Sequence, residues 1–422
     1  MNEEFLQFVW GQGLFEKTNL ATTNGLEVII QNSGVINAGG GPDFRESRIK
    51  IGKHLWVGDV EIHFRSSQWY EHGHHTDAYY NGVILHVVYE ADRTIYNERG
   101  DELPQVELKG RIPKSMIDRF EYLMSGRKKI HCSASLGEVP TITVRAWLDR
   151  LTAERLERKT SEVEFIFKNC NRDWRQTFFV LLAGYFGQNT NKLAFQSIAM
   201  RCPVTIIDKN RNRPELVEAM LFGVAGLLKG DPVDDYHREL TTHYAFLKSK
   251  YNLEEIPFKL MFGGVRPEAF PTRRLGVLAA LMQRFDDWFT ALVRKQSGSL
   301  TLPDIAPNPY WINHYRFGKA SRISRRSAIS DSLKNLLLIN AVCPFLYHYA
   351  RSHGNHDLQE WCMERLCEIP PERNVHTRLW EQHGVKAESA AESQALIELS
   401  TQYCKPKKCV LCNIGRSIIL KQ

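Results

Sequence analysis

The chain has no run of 18 or more apolar residues, so it lacks the segment that a membrane-spanning helix needs. Its first ten residues, MNEEFLQFVW, carry two glutamates where a secretory signal would carry positive charge. A phosphate-binding loop, a dinucleotide-binding fingerprint, an internal repeat and a low-complexity tract are also absent. These absences argue against membrane proteins, P-loop nucleotidases and solenoids. We expect a cytoplasmic protein without a membrane partner.

Cysteine is too sparse for a disulfide scaffold. The 422 residues include nine cysteines, an odd number, and four of them stand alone, at Cys132, Cys170, Cys202 and Cys343. This usage is typical of a reducing compartment. With 43% hydrophobic and 24% charged residues the chain has the composition of an ordinary soluble globular protein. Its length predicts two or three domains, and nothing in it indicates the oligomeric state.

The net charge of +7 is unevenly distributed. Residues 1–140 contain 15 Lys and Arg against 19 Asp and Glu, which leaves 40 against 29 for residues 141–422. A basic body of this kind attracts polyanions, so nucleic acid is a candidate partner. An excess of this size also serves solubility alone, and both interpretations stay open.

The patterning changes near residue 136. Before it, a short helix, several β-rich runs, a helix-like segment at 66–81 and a continuous apolar run at 83–89 predict an α/β domain with a mixed sheet. After it, apolar spacing of three and four predicts helices at 143–168, 174–186, 214–229, 272–296, 327–350 and 356–367, with a polar loop at 184–192. We predict an α/β domain at 1–135, a larger all-helical domain at 136–400 and a cysteine-rich tail at 401–422.

Two short motifs in the first domain carry acidic residues suited to metal chemistry. Asp43 follows Gly41-Pro42 at the start of a predicted strand, and alternation along 55–65 places Asp59, Glu61 and His63 on one face, with Trp56, Val60, Ile62 and Phe64 on a core face. If Asp43 lies beside Glu61, the two carboxylates suit Mg²⁺ or Mn²⁺, and His63 is placed to position or activate water. The alternative is an edge strand whose polar face meets solvent.

A histidine-rich segment follows. His72, His74 and Asp77 lie close together, and His86 lies in the next strand. Such residues bind Zn²⁺ or another transition metal, support a neighbouring site or simply face solvent in a loop. A literal Glu-x-Lys at Glu107 to Lys109 lacks a preceding Pro-Asp, so we interpret it as an ordinary strand from which Lys109 could approach the site.

The order of these motifs resembles that of the PD-(D/E)xK, or restriction-endonuclease-like, nuclease superfamily. Pro42-Asp43, Glu61-Ile62-His63, the segment 66–81 and the strand 83–89 follow one another as in its α-β-β-β-α-β core, over residues 1–115. The resemblance implies a metal-dependent nuclease with catalytic Asp43, Glu61 and His63, the last replacing the usual lysine. It also implies a further acidic residue in the first helix, for which Glu3, Glu4 and Glu16 are candidates.

The full length is similar to DUF2851, a bacterial family without an established activity. The resemblance rests on Gly-Asp-Val-Glu-Ile-His at 58–63, Ser-Ser-Gln-Trp at 66–69, the strand 83–88 and the cysteine-rich tail.

The tail itself has metal-binding spacing. Cys404, Cys409 and Cys412 form a C-x4-C-x2-C pattern that suits Zn²⁺ or an iron–sulfur cluster. A fourth ligand would come from elsewhere, with candidates Cys132, Cys362, Cys367 and His376.

A second basic motif interleaves aromatic residues with cations between Tyr310 and Arg326. The cations can bind phosphates, and the rings can stack on unpaired bases. The cations are Arg316, Lys319, Arg322, Arg325 and Arg326. The plainer interpretation, which the pattern favours, is an aromatic segment packed in the core followed by a basic helix start. The leading function is therefore a Mg²⁺- or Mn²⁺-dependent nuclease. A non-catalytic nucleic-acid-binding or scaffold protein and a zinc hydrolase centred on 72–77 are the alternatives.

Overall fold

The chain folds into two units in a computed structural model that describes residues 1–37, 39–294, 300–320 and 329–421. The first unit combines residues 1–147 with residues 399–422, and the second comprises residues 148–398. The last 24 residues therefore belong with the sheet-containing start of the chain. None of the described helices is both long and apolar enough to cross a membrane.

The first unit is built on a six-stranded mixed sheet. Its main path runs β1-β3-β4-β5-β6, with β2 pairing to β3. Pairing is antiparallel from β1 to β4 and parallel from β4 to β6. The strands are β1 (Val28–Asn32), β2 (Val35–Ile36), β3 (Phe44–Ile51), β4 (His54–Arg65), β5 (Val83–Glu90) and β6 (Gln105–Glu107). The mixed sheet that the sequence predicts is confirmed.

Helix α1 (Glu3–Gln12) packs against β4 through an apolar face. The Asn2 side chain accepts a hydrogen bond from the Phe5 backbone N–H and caps its start, as short polar residues do at helix N-termini. Phe5, Leu6 and Val9 are fully buried. Gly13 ends the helix in the left-handed region, with φ at +63°. The helix therefore anchors the acidic residues of its first turn beside β4.

Strand β4 differs from the predicted alternation of a core face and a charged face. Its first half pairs only with β3, and Trp56 there is 48% exposed, so it is not a core residue. Pairing with β5 begins at Asp59, and from Val60 to His63 the side chains of both faces are buried. The reason is that this half lies in the middle of the sheet and is covered by α1 and by the segment after β4.

The segment after β4 folds into short turns rather than a long helix. It comprises α2 (Gln68–Glu71) and 3₁₀ turns at His74–Thr76 and Ala78–Tyr80. Gly73 separates the first two with φ at +76°, a conformation that other residues rarely adopt. Trp69 is fully buried beneath this segment, and its ring contacts those of His74 and His86. The turns therefore bring histidines over the end of β4.

The remaining helices of the first unit are α3 (Lys114–Ser125), a 3₁₀ turn at Leu136–Glu138 and, after a long excursion, a π-helical turn at Leu399–Cys404 and a final helix at Asn413–Ile419. The excursion supplies the second unit. It contains α4 (Thr141–Asn169, beginning in the first unit), α5 (Trp174–Arg201), α6 (Val204–Asn210), α7 (Pro214–Val224), α8 (Asp235–Tyr251), α9 (Pro271–Met282), α10 (Phe285–Val293), α11 (Tyr310–Asn313), α12 (Asp331–Leu337), α13 (Cys343–Ser352), α14 (His356–Glu368), α15 (Val375–Glu381) and α16 (Ala390–Glu398). The final helix, Asn413–Ile419, is α17.

The second unit is almost entirely helical, with a two-stranded ribbon at His314–Arg316 and Lys319–Ala320, a 3₁₀ turn at Pro267–Ala269 and a π-helical turn at Leu338–Val342. The larger helical region expected from the sequence is confirmed. The predicted polar loop at 184–192 is wrong, because α5 continues through it with a kink at Gln188, where φ is +52°. Phe186 and Asn191 on either side of the kink are buried, so packing holds the helix together across it.

One buried acid in the second unit makes its stability depend on pH. Glu218 on α7 is 2% exposed and accepts a hydrogen bond from the Tyr236 hydroxyl at 2.5 Å. Burial raises the pKa of Glu218 to about 7. Since the folded state binds a proton between the unfolded pKa near 4.5 and the folded value, the free energy of unfolding falls as pH rises through this window.

We expect Glu218→Gln to remove this slope. Between pH 4.5 and 8 the free energy of unfolding of the wild type should fall by about 3 kcal/mol more than that of the variant. Urea denaturation at several pH values measures the difference. Parallel stability curves for the two proteins would contradict it.

Candidate active and metal site

The site lies where the buried half of β4 meets the start of β3. Glu61 is 5% exposed and His63 1% exposed, and both project from β4. In the register with β5, Glu61 lies opposite His86. Phe44, the first residue of β3, pairs with Val60, which places the preceding Asp43 next to Glu61. The sheet therefore brings residues 18 positions apart in sequence into contact.

Asp43 and Glu61 hold each other in a reciprocal arrangement. The Asp43 backbone N–H donates to Glu61 Oε2 at 3.1 Å, and the Ile62 backbone N–H donates to Asp43 Oδ2 at 3.0 Å. Gln7 Nε2 of α1 donates to Asp43 Oδ1 at 2.8 Å. Burial raises the pKa of both carboxyls, and the charge of Glu61 raises that of Asp43 further. The convergence that the sequence predicts for these two residues is present.

Of the three candidate acids in the first helix and its extension, only one acts on this pair. The charge of Glu3 raises the pKa of both Asp43 and Glu61, and its Oε1 accepts from Gln68 Nε2 at 3.1 Å. Glu4 instead interacts with Lys408, and Glu16 with Thr18 and Arg111. Three acidic groups therefore face one small region, an arrangement that a cation stabilises.

Three histidines complete the group. The side chains of His63, His72 and His74 offer ligand atoms that all lie within 4.8 Å of one another, the one group of three or more such residues in the part of the chain that the structure describes. His63 Nε2 is 3.0 Å from His72 Nδ1. Glu61 Oε1 lies 3.6 Å from His63 Nε2 and 3.4 Å from His74 Nε2. We call Glu61, His63, His72 and His74 the histidine–carboxylate group.

His63 and His74 are suited to act as neutral ligands. Burial lowers the pKa of His63 far below its ordinary value, and the neighbouring imidazoles lower it further. Burial also lowers the pKa of His74, which stacks on the Tyr80 ring at 3.7 Å. A neutral imidazole keeps the lone pair that a metal requires. His72 is exposed, so the group opens to solvent on that side.

A chain of buried polar contacts orients His63. Its Nδ1 lies 2.8 Å from His86 Nε2, and His86 is fully buried, which lowers the pKa of His86 to about 3. Gln105 opposes that shift by an interaction with His86, and its Nε2 donates to the Arg93 carbonyl at 3.0 Å, which directs Oε1 away from Arg93. Gln105 Oε1 and His86 Nδ1 both lack a hydrogen bond of standard length and angle, so the contact between them is loose.

The tautomers of His63 and His86 depend on each other through the contact between their rings. If Gln105 Oε1 accepts from His86 Nδ1–H, then His86 Nε2 accepts from His63 Nδ1–H, and the lone pair of His63 lies on Nε2, facing Glu61, His72 and His74. Such outer partners of metal-binding histidines are a recurrent feature of metal sites. The register of β5 with β6, in which His86 pairs with Gln105, creates the contact.

The donor atoms of this group indicate which metal would fit the site. Three imidazole nitrogens and one carboxylate oxygen suit Zn²⁺, Mn²⁺ or another first-row transition ion, whereas Mg²⁺ prefers oxygen ligands. The two separate sites considered from the sequence, an acidic pair and a histidine segment, are therefore one site. A cleft of about 480 Å³ is lined by residues of α1, β4 and α2 that include Glu3, Arg65 and Gln68.

The other supporting residues lie around or away from this group. Asp59 lies on β4 opposite Val83, the first residue of β5, and its backbone N–H donates to the Gly82 carbonyl at 2.9 Å. Asp77 caps the turn at Ala78–Tyr80 and raises the pKa of His74. Lys109 is exposed and pairs with Glu90 at 2.7 Å, because its backbone N–H bonds to the Tyr89 carbonyl near the end of β5. Lys109 thus does not supply the missing lysine.

The basic segment in the second unit is only partly described. Trp311 is 1% exposed, so it packs in the core and is not available for base stacking, as the core-packing alternative predicts. The Arg316 guanidinium lies over the rings of Phe262 and Phe270, and Lys319 is exposed. Arg322, Arg325 and Arg326 lie outside the described residues.

One contributor to the site, Gln105, was not predicted from the sequence. No local sequence pattern indicates Gln105, because its contact with His86 depends on the register of β5 with β6. The joining of His72 and His74 to Glu61 depends on the positive φ of Gly73, a glycine that the sequence does show. Helix-breaking glycine between histidines was the available indication of a tight turn.

Comparisons with known proteins place the chain in a family. The model of the family described as "Protein of unknown function (DUF2851)" matches residues 3–375. No curated protein and no solved structure matches the chain. The matched residues include the whole histidine–carboxylate group and most of the helical unit. The chain belongs to the DUF2851 family.

Proposed function

We propose that the protein is a metal-dependent hydrolase that cleaves phosphodiester bonds of nucleic acids. The observation that carries the proposal is the convergence of Glu61 Oε1 with the Nε2 atoms of His63 and His74, at 3.6 and 3.4 Å, beside Asp43. Buried acids and neutral imidazoles at such distances are costly without a cation and favourable with one.

Zn²⁺ or Mn²⁺ is the proposed metal, in place of the Mg²⁺ that the acidic motif alone favours. Glu61, His63, His72 and His74 would hold it, and Asp43 would add a second carboxylate. A bound ion of this kind lowers the pKa of a ligated water and neutralises charge on a scissile phosphate. The solvent-exposed side of His72 leaves room for a substrate to enter.

The phosphodiester substrate is supported by the order of elements. Asp43 precedes β3, Glu61 and His63 lie on β4, α2 follows, and β5 pairs parallel to β4. This is the order that the resemblance to PD-(D/E)xK nucleases implies. The excess of 40 Lys and Arg over 29 Asp and Glu after residue 140 adds attraction for a polyanion.

The chain's own residues then have distinct tasks. His86 and Gln105 orient His63, so that its Nε2 faces the metal position. The Asp43 backbone N–H fixes Glu61 through Oε2 and leaves Oε1 directed at the histidines. His63 thus acts as a ligand where the superfamily's lysine acts near the water. Arg65, two residues after His63 on β4, lines a cleft and would add a positive charge for a phosphate.

A cleavage assay with a paired variant tests the proposal. Labelled single- and double-stranded DNA and RNA are incubated with the protein and Mn²⁺, Zn²⁺, Co²⁺ or Mg²⁺. We expect Asp43→Asn with Glu61→Gln to lower cleavage by about 10³-fold. The control, Glu27→Gln with Asp118→Asn, makes the same charge change at two exposed carboxylates of the same unit and should cleave normally.

Two results would overturn the proposal. One is cleavage that survives in the Asp43/Glu61 variant, which would assign it to a contaminant or another site. The other is tight, salt-sensitive binding of nucleic acid without cleavage under any metal, which would identify a non-catalytic binding protein.

A further inference from the structure

The three tail cysteines are arranged by a tight loop between the π-helical turn Leu399–Cys404 and α17. The Lys407 backbone N–H donates to the Cys404 carbonyl at 3.1 Å, and the Cys412 N–H donates to the Cys409 carbonyl at 3.3 Å. Lys407 adopts φ of +59°, which reverses the chain between the first two thiols. The loop therefore folds back on itself and gathers three thiols.

The loop is fastened to the segment after α3. His131 Nε2 lies 3.2 Å from the Cys404 carbonyl, and Lys407 Nζ donates to the Met124 carbonyl at 2.7 Å. These contacts join residues 273 and 283 positions apart. Cys132 directly follows His131 and is 8% exposed, so its thiol is buried at the same junction.

All four thiols are close to one another. Burial, together with the neighbouring Cys412 and Cys409, raises the pKa of Cys132 to about 12. The other three thiols raise the pKa of Cys404, and Cys412 raises the pKa of Cys409. Each of the six pairs among the four residues therefore interacts, whereas the other fourth-ligand candidates, Cys362, Cys367 and His376, all belong to the second unit.

Several groups around the tail loop offset part of the cost of burying thiolates. The backbone N–H groups of Ile414 and Gly415 hydrogen-bond to the Cys412 sulfur and, with the Trp147 side chain, oppose the effect of burial on its pKa. A Cβ on Gly415 would collide with the Cys409 carbonyl, so only glycine permits this approach. Three lysines, at 405, 407 and 408, flank the loop and offset negative charge.

We propose that Cys132, Cys404, Cys409 and Cys412 ligate a [4Fe–4S] cluster. A cubane binds each of four thiolates to a different iron, and a C-x4-C-x2-C run with a distant fourth cysteine is a spacing that iron–sulfur clusters use.

The cluster is independent of the proposed hydrolase activity. The nuclease assay can fail while the cluster is present, and the reverse is also possible. Its role is to link the tail to the segment after α3. This link closes the long loop of chain between Cys132 and Cys404.

Anaerobic purification of the full-length protein tests the assignment. We expect a brown protein with broad visible absorption that reduction bleaches, containing about four iron and four sulfide per chain. Cys132→Ser should lose most of the iron. The matched control is Cys367→Ser, since Cys367 is an exposed thiol on α14 outside the group, and it should keep all of the iron.

If Cys132→Ser does not fold, the iron and sulfide content of the wild type and of Cys409→Ser decides. Stoichiometric zinc without iron and sulfide in the anaerobic wild type would overturn the cluster. Full iron content in Cys132→Ser would overturn the assignment of the fourth ligand.

Discussion

Replacing His72 with alanine is expected to weaken binding of Mn²⁺ or Zn²⁺ at least about 100-fold, because changes to outer partners of a metal site alone cost about 10–100-fold. His72 is exposed, yet its Nδ1 lies 3.0 Å from His63 Nε2 within the histidine–carboxylate group. The free energy of unfolding of the metal-free variant should change by less than about 0.5 kcal/mol. Isothermal titration calorimetry and urea denaturation measure the two quantities on the same preparation.

His75→Ala is the matched control. His75 is three residues away and contacts the Tyr70 ring at a centroid distance of 5.0 Å, outside the group. It should bind metal like the wild type. Equal metal affinity in the His72 and His75 variants would show that the group does not bind metal through His72.

Replacing Gly58 with alanine is expected to destabilise the first unit by about 2 kcal/mol and to weaken metal binding with it. A Cβ at this position would collide with Ile84 Cγ2 and meet the Gly82 carbonyl oxygen at 2.7 Å. The obstacle includes backbone, so β4 and β5 must separate where their pairing begins. Glu61 and His86, which face each other a few residues further on, would shift with them.

Gly137→Ala provides the comparison, since a Cβ there meets nothing within 4 Å. Chemical denaturation of both variants, followed by metal titration of the folded fraction, measures the effects. Unchanged stability in Gly58→Ala would mean that β5 can move away from β4 at no cost, against the close packing described here.

The sequence predicted those parts of the site that depend on local spacing. Glu61 and His63 share a face because strand side chains alternate, and Asp43 lies beside them because a hairpin returns β3 to β4. The mixed sheet followed by helices was predictable because the apolar period changes along the chain. These features require no knowledge of distant contacts.

Other parts depend on pairings that no local pattern encodes. The exposure of Trp56 follows from where β5 begins to pair with β4, which the alternation of β4 alone does not contain. The interaction of His86 with Gln105 depends on the register of two parallel strands. Cys132 could be included only as one of four candidates, because 272 residues separate it from Cys404.

The composition of the first unit from both ends of the chain has a consequence for synthesis. Helix α17 packs against α3, and the Arg416 guanidinium lies over the Phe8 ring, so the last residues complete the unit that the first residues begin. The ribosome releases residues 399–422 only after all of residues 148–398. Domains usually fold in the order of their emergence. Here the helical unit has its full sequence first, and the first unit receives α17 only after residues 148–398 have been made.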